Sequence, residues 1–179
     1  MDSTQQQKPA EHRQDLHGAA AIERLREMVK ESPNCFFCTT EAPGLPTDTR
    51  PMNVREVDEQ GNFWFLSSGD SLKNHELARN ANVELFFQGS EHSGFLHLCG
   101  HATVSRDPER IAALWEPMLK NWFTGGQEDP RITVIKVTPV NGHYWDNQHG
   151  DFIAGIRIML GAAMGETRDD GIEGAIRPH

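Results

Sequence analysis

From Leu16 onward the apolar residues Leu16, Ile22, Leu25, Met28 and Val29 recur near the 3.6-residue period of a helix, and the pattern stops at "KESPN", where Pro33 forbids continuation. The period then changes. Short runs rich in β-branched and aromatic residues follow: "CFFCTT", "TRPMNVREV", "GNFWFLSS", "NVELFFQG", "GFLHLCGHATVSR", "RITVIKVTP" and "NGHYWD". Gly, Asn, Asp and Pro separate them, and "DEQGN" has the composition of a hairpin turn. Two helical stretches interrupt the series, at 71–79 and 108–122. The second opens on an Asp107-Pro108 N-cap pair and gathers Ile111, Leu114, Trp115, Met118, Leu119 and Trp122 on one face.

Six or seven short strands without regular strand-helix alternation argue against a doubly wound parallel sheet. The pattern predicts a mainly β (α+β) fold, an antiparallel barrel with peripheral helices. Residues 1–15 are polar and Gln-rich and are expected to form a disordered lead-in, 16–165 a single domain, and 166–179 a flexible tail. The apolar run 152–165 is read as a helix.

Charge narrows the partners. Seventeen Lys and Arg against 26 Asp and Glu give a formal charge of -9 over 179 residues, with no basic cluster, so nucleic acid and anionic membranes are disfavoured. No apolar stretch suits a signal peptide or a membrane span, which predicts a soluble cytoplasmic protein. The three cysteines then read as free thiols.

Candidate chemistry begins with "SSGDSLKNHE", residues 67–76. Hydroxyls at Ser67, Ser68 and Ser71, backbone freedom at Gly69, the ammonium of Lys73 and the open N–H groups of a helix start together suit an anion such as phosphate. The same residues also read as a plain helix cap with a solvated lysine. Upstream, "RPMNVREV" carries Arg50 and Arg55, which a regular strand would point to opposite faces unless it bends near Pro51. In "HLCGH" the alternation of His97, Cys99 and His101 would aim three metal-ligand types to one side, although Gly100 suggests a bulge there. Cys35 and Cys38 of "CFFC" point to opposite faces of a strand and read as packing residues. Neither a phosphate-binding P-loop, a dinucleotide glycine fingerprint nor a G-x-S-x-G elbow occurs.

The ordered string "RPMNVREVDEQGNFWFLSSGDSLKNHEL", "VELFF", "GHATVSRD", "LWEPMLKNWFTGGQEDP" and "VTPVNGHYWD" resembles the general stress protein branch of the pyridoxamine 5'-phosphate oxidase-like, FMN-binding split-barrel superfamily, over about residues 25–165. The resemblance implies a six-stranded antiparallel split β-barrel that forms a homodimer, with FMN in clefts between the subunits. Arg50, Lys73, Ser67 and Ser71 would hold the FMN phosphate. Met52, Asn53, Val54 and Arg55 would run along the isoalloxazine, with Arg55 near its pyrimidine edge. Leu66 would line the ribityl side, and Trp122 or Trp145 would cover the flavin from the partner subunit. An FMN-dependent oxidoreductase is the implied activity. A non-catalytic flavin-binding stress or sensor protein, or a metal-dependent barrel using His97, Cys99 and His101, are the alternatives. Pyridoxamine phosphate oxidases carry an arginine immediately before the lysine, where Leu72 stands here, which weighs against that substrate.

Overall fold

The computed structural model describes residues 13–42, 44–45, 47–88, 94–147 and 171–179. In chain order these form β1 (Leu16–His17), α1 (Gly18–Glu31), β2 (Asn34–Thr39), β3 (Asp48–Asn53), β4 (Glu56–Val57), β5 (Phe63–Ser68) and α2 (Leu72–Arg79). There follow β6 (Asn82–Gln88), β7 (Phe95–Ser105), α3 (Pro108–Leu114), two 3-10 turns (Pro117–Asn121 and Gly126–Glu128), β8 (Ile132–Asn147) and β9 (Gly171–Arg177). The mainly β class with few helices is as expected. The finer expectation of a six-stranded antiparallel barrel is not: the described residues form one nine-stranded sheet in the order β1-β9-β8-β7-β6-β2-β3, with β5 also on β8 and β4 on β5. It is mixed, because β1 runs parallel to β9.

β8 organises the sheet. "RITVIKVTP" and "NGHYWD" are one 16-residue strand. One of its edges pairs with β7 over Val134–Trp145, while the other is divided between β5, over Ile132–Val137, and β9, over Gly142–Asn147. The register against β7 slips by one residue at Cys99/Gly100, where Asn141 is followed by Pro139 as partner, so the extra residue is Val140. The bulge suspected from Gly100 therefore lies in β8, and it accommodates Pro139, which has no N–H for a regular ladder.

Among the described residues no ladder joins β3, at one end of this path, to β5, which branches from β8. The chain itself crosses. Val54 N–H donates to the Pro33 carbonyl at 2.8 Å on the β2 side, and Arg55 N–H donates to the Trp64 carbonyl at 2.8 Å on the β5 side.

Alternation sorts the apolar residues into two cores. Phe37, Phe63, Phe65, Leu85, Leu96, Leu98, Ile135 and Val137 face inward, with Phe37 and Phe65 edge to face at 5.3 Å, and the periodic residues Leu25, Met28 and Val29 of α1 pack against them. On the other face of β5 and β8, Ile132 and Val134 meet Ile111 and Leu114 of α3, with Phe123, Trp64 and Leu66. The expected helix over 108–122 is broken. α3 ends at Leu114, and Trp115 and Glu116 are extended because Pro117 disfavours helical backbone in the residue before it. Met118 and Trp122, expected on a buried face, are consequently exposed.

The described residues near both ends, 13–15 and 171–177, depart from expectation. Residues 171–177, expected in a flexible tail, form β9, and Ile176 is fully buried. Residues 13–15 are also tied down: Gln14 N–H donates to the Glu173 carbonyl at 2.9 Å, and the Tyr144 hydroxyl donates to the Gln14 carbonyl at 2.8 Å. A Cβ on Gly174 would lie 1.9 Å from that same Gln14 carbonyl oxygen, so only glycine admits this approach. The helix expected over 152–165 lies outside the described residues. No helix among the described residues is long and apolar enough to cross a membrane.

Candidate cofactor cleft

Beside the seam where the chain crosses from β3 to β4 there is a cleft of about 1010 Å³, at the upper end of the roughly 300–1,000 Å³ of small-molecule sites. One wall is the end of β3 and its exit: Pro51, Met52, Asn53, Val54 and Arg55. β5 and α2 contribute Leu66, Ser67, Ser68 and Lys73, and the broken helix contributes Glu116, Met118, Leu119, Trp122 and Phe123. The helix break is what turns this last segment toward the cleft.

The hydroxyl-rich end is held rigidly. Asn74 Nδ2 donates to Thr133 Oγ1 at 2.8 Å, Thr133 Oγ1 donates to the Ser67 carbonyl at 3.1 Å, and Ser67 Oγ donates to Asn74 Oδ1 at 3.3 Å, which locks α2 onto β5 and β8. Gly69 packs too closely for a larger residue to enter freely, because its Cβ would meet Thr133 Cγ2 at 3.1 Å and Arg106 Nη2 at 3.2 Å. Ser71 is the N-cap of α2, but its side chain makes no capping bond. Its hydroxyl instead accepts from Lys73 Nζ at 3.3 Å. Among the described residues Lys73 makes no ion pair. Burial pushes its pKa down, and repulsion from Arg50 adds to that.

Arg50 itself does not line the cleft. Its guanidinium is taken by Glu76 of α2, whose Oε2 accepts from both Nη1 and Nη2 at 3.0 Å and also from the Thr39 hydroxyl. Burial raises the Glu76 carboxyl, but hydrogen bonds from Thr39, Asp48 and Arg50 together outweigh it and hold the pKa low.

Arg55 occupies another part of the wall. It pairs with Glu116, and its Nη1 donates to Asn53 Oδ1 at 2.8 Å. Its Nε is buried with no partner. Arg131, which the sequence reading missed, is a further cation of the lining. It holds Asp129 in a two-pronged pair, Nε to Oδ1 at 3.0 Å and Nη2 to Oδ2 at 2.7 Å, which keeps that carboxyl well below its usual range. Pro33 and Asn34 were also missed. None of these has a sequence signal beyond adjacency to a turn.

Of the eleven expected site residues, Met52, Asn53, Val54, Arg55, Leu66, Ser67, Lys73 and Trp122 line the cleft. Ser71 stands behind Lys73. Trp145 lies on a different surface of the same chain, in a groove with Phe36, Phe86, Phe95 and His97, and Pro51 and Asn34 line both grooves. The expected metal trio is also rearranged: Glu84, His97 and Cys99 come together and His101 stays apart. Cys35 and Cys38 are free and buried, with burial pushing the Cys35 thiol up to about 12.

A family model described as "Pyridoxamine 5'-phosphate oxidase like" matches residues 20–169. The chain belongs to this family. Among solved structures, this pyridoxamine 5'-phosphate oxidase-like chain is similar to a general stress protein 26 candidate from Jannaschia sp. CCS1, with TM-score 0.71 and 20% identity over 89% of this chain and 99% of that one. It is similar also to the general stress FMN/FAD binding protein of Xanthomonas citri, with TM-score 0.61 and 20% identity over 73% of this chain and 91% of that one. At these identities the likeness is one of fold. The protein bli-3 of Neurospora crassa is 30% identical over 88 residues, covering 45% of this chain, and the matched part spans 42% of that relative's length.

Proposed function

We propose that this chain binds FMN in the cleft and works as a homodimeric flavin-dependent oxidoreductase of the general stress protein type. The observation that carries the reading is Lys73: a half-buried ammonium, without an ion pair among the described residues, at the hydroxyl-rich end of a cleft of cofactor size. A half-buried cation with no direct ion pair, only the more distant charges of Asp70 and Glu76, favours an anionic ligand. The unpartnered Nε of Arg55 supports it as a second polar demand on the same ligand. Between these groups the lining is apolar and partly flat, with Pro51, Met52, Leu66, Leu119 and Trp122, which suits an aromatic ring system.

When bound, FMN supplies hydride or single-electron chemistry. The protein's part is to bind and orient. Lys73, with Ser67, Ser68 and Ser71, would hold the phosphate, and Arg55 would offer a fixed positive charge to the ring. Glu116, paired to Arg55, fixes that guanidinium in the cleft wall. Leu72 is 59% exposed and lies off the cleft, so it adds no donor for a substrate phosphate, which disfavours pyridoxamine phosphate as substrate.

Phe36, Phe86, Phe95 and Trp145 form an exposed aromatic face. Because Asn34 and Pro51 belong to this face and to the cleft alike, a second copy seated there would wall the cofactor site.

The visible spectrum of the purified protein, followed by titration with FMN, tests the reading. Bands of bound oxidised flavin, or saturable quenching of FMN fluorescence, are expected. A colourless protein that leaves added FMN fluorescence unquenched would overturn it. Anaerobic reduction and reoxidation by candidate acceptors then separates an enzyme from a flavin-binding protein without turnover.

A further inference from the structure

We propose that Glu84, His97 and Cys99 form a binding site for a single borderline-soft divalent cation of the zinc class, on the outer face of the sheet and separate from the cofactor cleft. The three offer a carboxylate oxygen, an imidazole nitrogen and a sulfur, all within 4.8 Å of one another. His97 Nε2 is the middle donor, 2.8 Å from Glu84 Oε2 and 3.8 Å from Cys99 Sγ. With metal–nitrogen and metal–oxygen bonds near 2.0–2.2 Å and metal–sulfur near 2.3 Å, tetrahedral ligands stand about 3.3–3.7 Å apart. Small side-chain rotations bring the observed spacings into that range.

The backbone sets this convergence. Glu84 and Cys99 are directly opposed on β6 and β7, and His97 is the next residue on the same face of β7. The imidazole is held in plane by Phe86, whose ring stacks on it at 4.3 Å with 7° between the planes. His101 continues the alternation but does not join the cluster. Three protein ligands of mixed type with a fourth position left to water match an open zinc-type site, and sulfur with imidazole disfavours magnesium or calcium. Glu84 and Cys99 also line a small cavity of about 270 Å³, which gives the fourth ligand room; His101 lines it too but is not within ligand distance of the three. On binding, the Cys99 thiol proton passes to solvent as the sulfur–metal bond forms. None of the three ligands lines the cofactor cleft, although His97 also lines the aromatic groove proposed to seat a second copy.

Cobalt(II) titration of the chelator-treated full chain, followed as a difference spectrum, tests it. One ion per chain is expected, with a near-ultraviolet thiolate-to-cobalt charge-transfer band and intense visible bands of a tetrahedral ion, displaced by zinc. Cys99→Ser should abolish the charge-transfer band. Glu84→Gln, which keeps the size and exposed position of the side chain, should weaken binding by about tenfold or more, since even outer-shell partners carry that much. His101→Ala should leave binding unchanged, and thermal melts of each variant report whether it folds. No saturable cobalt binding, a charge-transfer band that survives Cys99→Ser, or loss of binding in His101→Ala with Glu84→Gln unaffected would each overturn the site.

Discussion

Glu76 reaches from α2 to β3 and accepts two hydrogen bonds from the guanidinium of Arg50, each 3.0 Å long, with its own side chain only 2% exposed. Removing Glu76 leaves the largely buried Arg50 guanidinium with only the exposed Asp48 carboxylate, 3.9 Å away. Glu76→Ala is therefore expected to destabilise the fold by about 3 kcal/mol, measured as a lower urea midpoint at neutral pH. The Glu76 pKa is held below its ordinary value of 4.5, so its contribution is fully present above that value and is lost as pH falls through the folded-state pKa. The difference between wild type and variant should accordingly shrink in acid. A gap that stayed constant from neutral pH into acid would refute the assignment.

Lys73 contacts only Ser71 among the described polar partners, which leaves its charge available to a ligand. Lys73→Ala should weaken FMN binding by roughly 1.5–3 kcal/mol, the scale of a charge-assisted hydrogen bond, with little change in unfolding midpoint of the flavin-free protein. Fluorescence titration of both proteins measures it, and equal affinities would mean that the phosphate sits elsewhere.

For Arg55, paired with Glu116 and carrying an unpartnered Nε, the expected effect is on potential more than on affinity. A positive charge beside a flavin favours the reduced, more negative state. Arg55→Met should lower the two-electron midpoint potential of bound FMN, by about 30 mV for each 1.4 kcal/mol of lost stabilisation. Equilibrium dye reduction of the two proteins gives the shift and its sign, and an upward shift contradicts the role.

Phe36 and Phe95 are 55% and 50% exposed on the aromatic face. The double substitution Phe36→Asp with Phe95→Asp places charge on both and should convert a dimer to a monomer in light-scattering measurements. Because Asn34 and Pro51 belong to both grooves, FMN affinity should fall with it. Retained dimers would show that the copies meet elsewhere.

Gly174 admits the Gln14 carbonyl at a distance no Cβ could tolerate. Gly174→Ala should displace residues 13–17 and cost about 1–3 kcal/mol, the usual range for overpacking. Amide exchange at Leu16 and His17, faster in the variant, would locate the effect.

Much of this was readable from local sequence because local rules decide it. Leu25, Met28 and Val29 follow the helical period, and Phe63 and Phe65 alternate with Trp64 and Leu66 between the two cores. Eight expected cleft residues sit on three short stretches, placed by the resemblance to the split-barrel superfamily rather than by local rules. What escaped depends on partners distant in sequence. β9 has only Ile172 and Ile176 as large apolar residues and becomes a strand through pairing with β8 and with residues 13–17. The pairing of Arg50 with Glu76, 26 residues later, has no local sequence signal. Arg131, just before β8 and beyond the Gly126–Glu128 turn, joins the cleft through the tertiary fold. Glu84 was invisible as a partner of His97 because register between β6 and β7 is a tertiary property.

The seam at Val54 and Arg55 has one more consequence. Each of these adjacent residues is hydrogen-bonded to a different side of an opening that no ladder among the described residues closes, so the width of the cleft and the alignment of β2 against β5 change together. A molecule touching both walls acts as a clamp on the whole sheet. Occupancy and unfolding then become one equilibrium, in which each tenfold excess of ligand over its Kd adds about 1.4 kcal/mol. Melting temperature becomes a direct gauge of how full the cleft is.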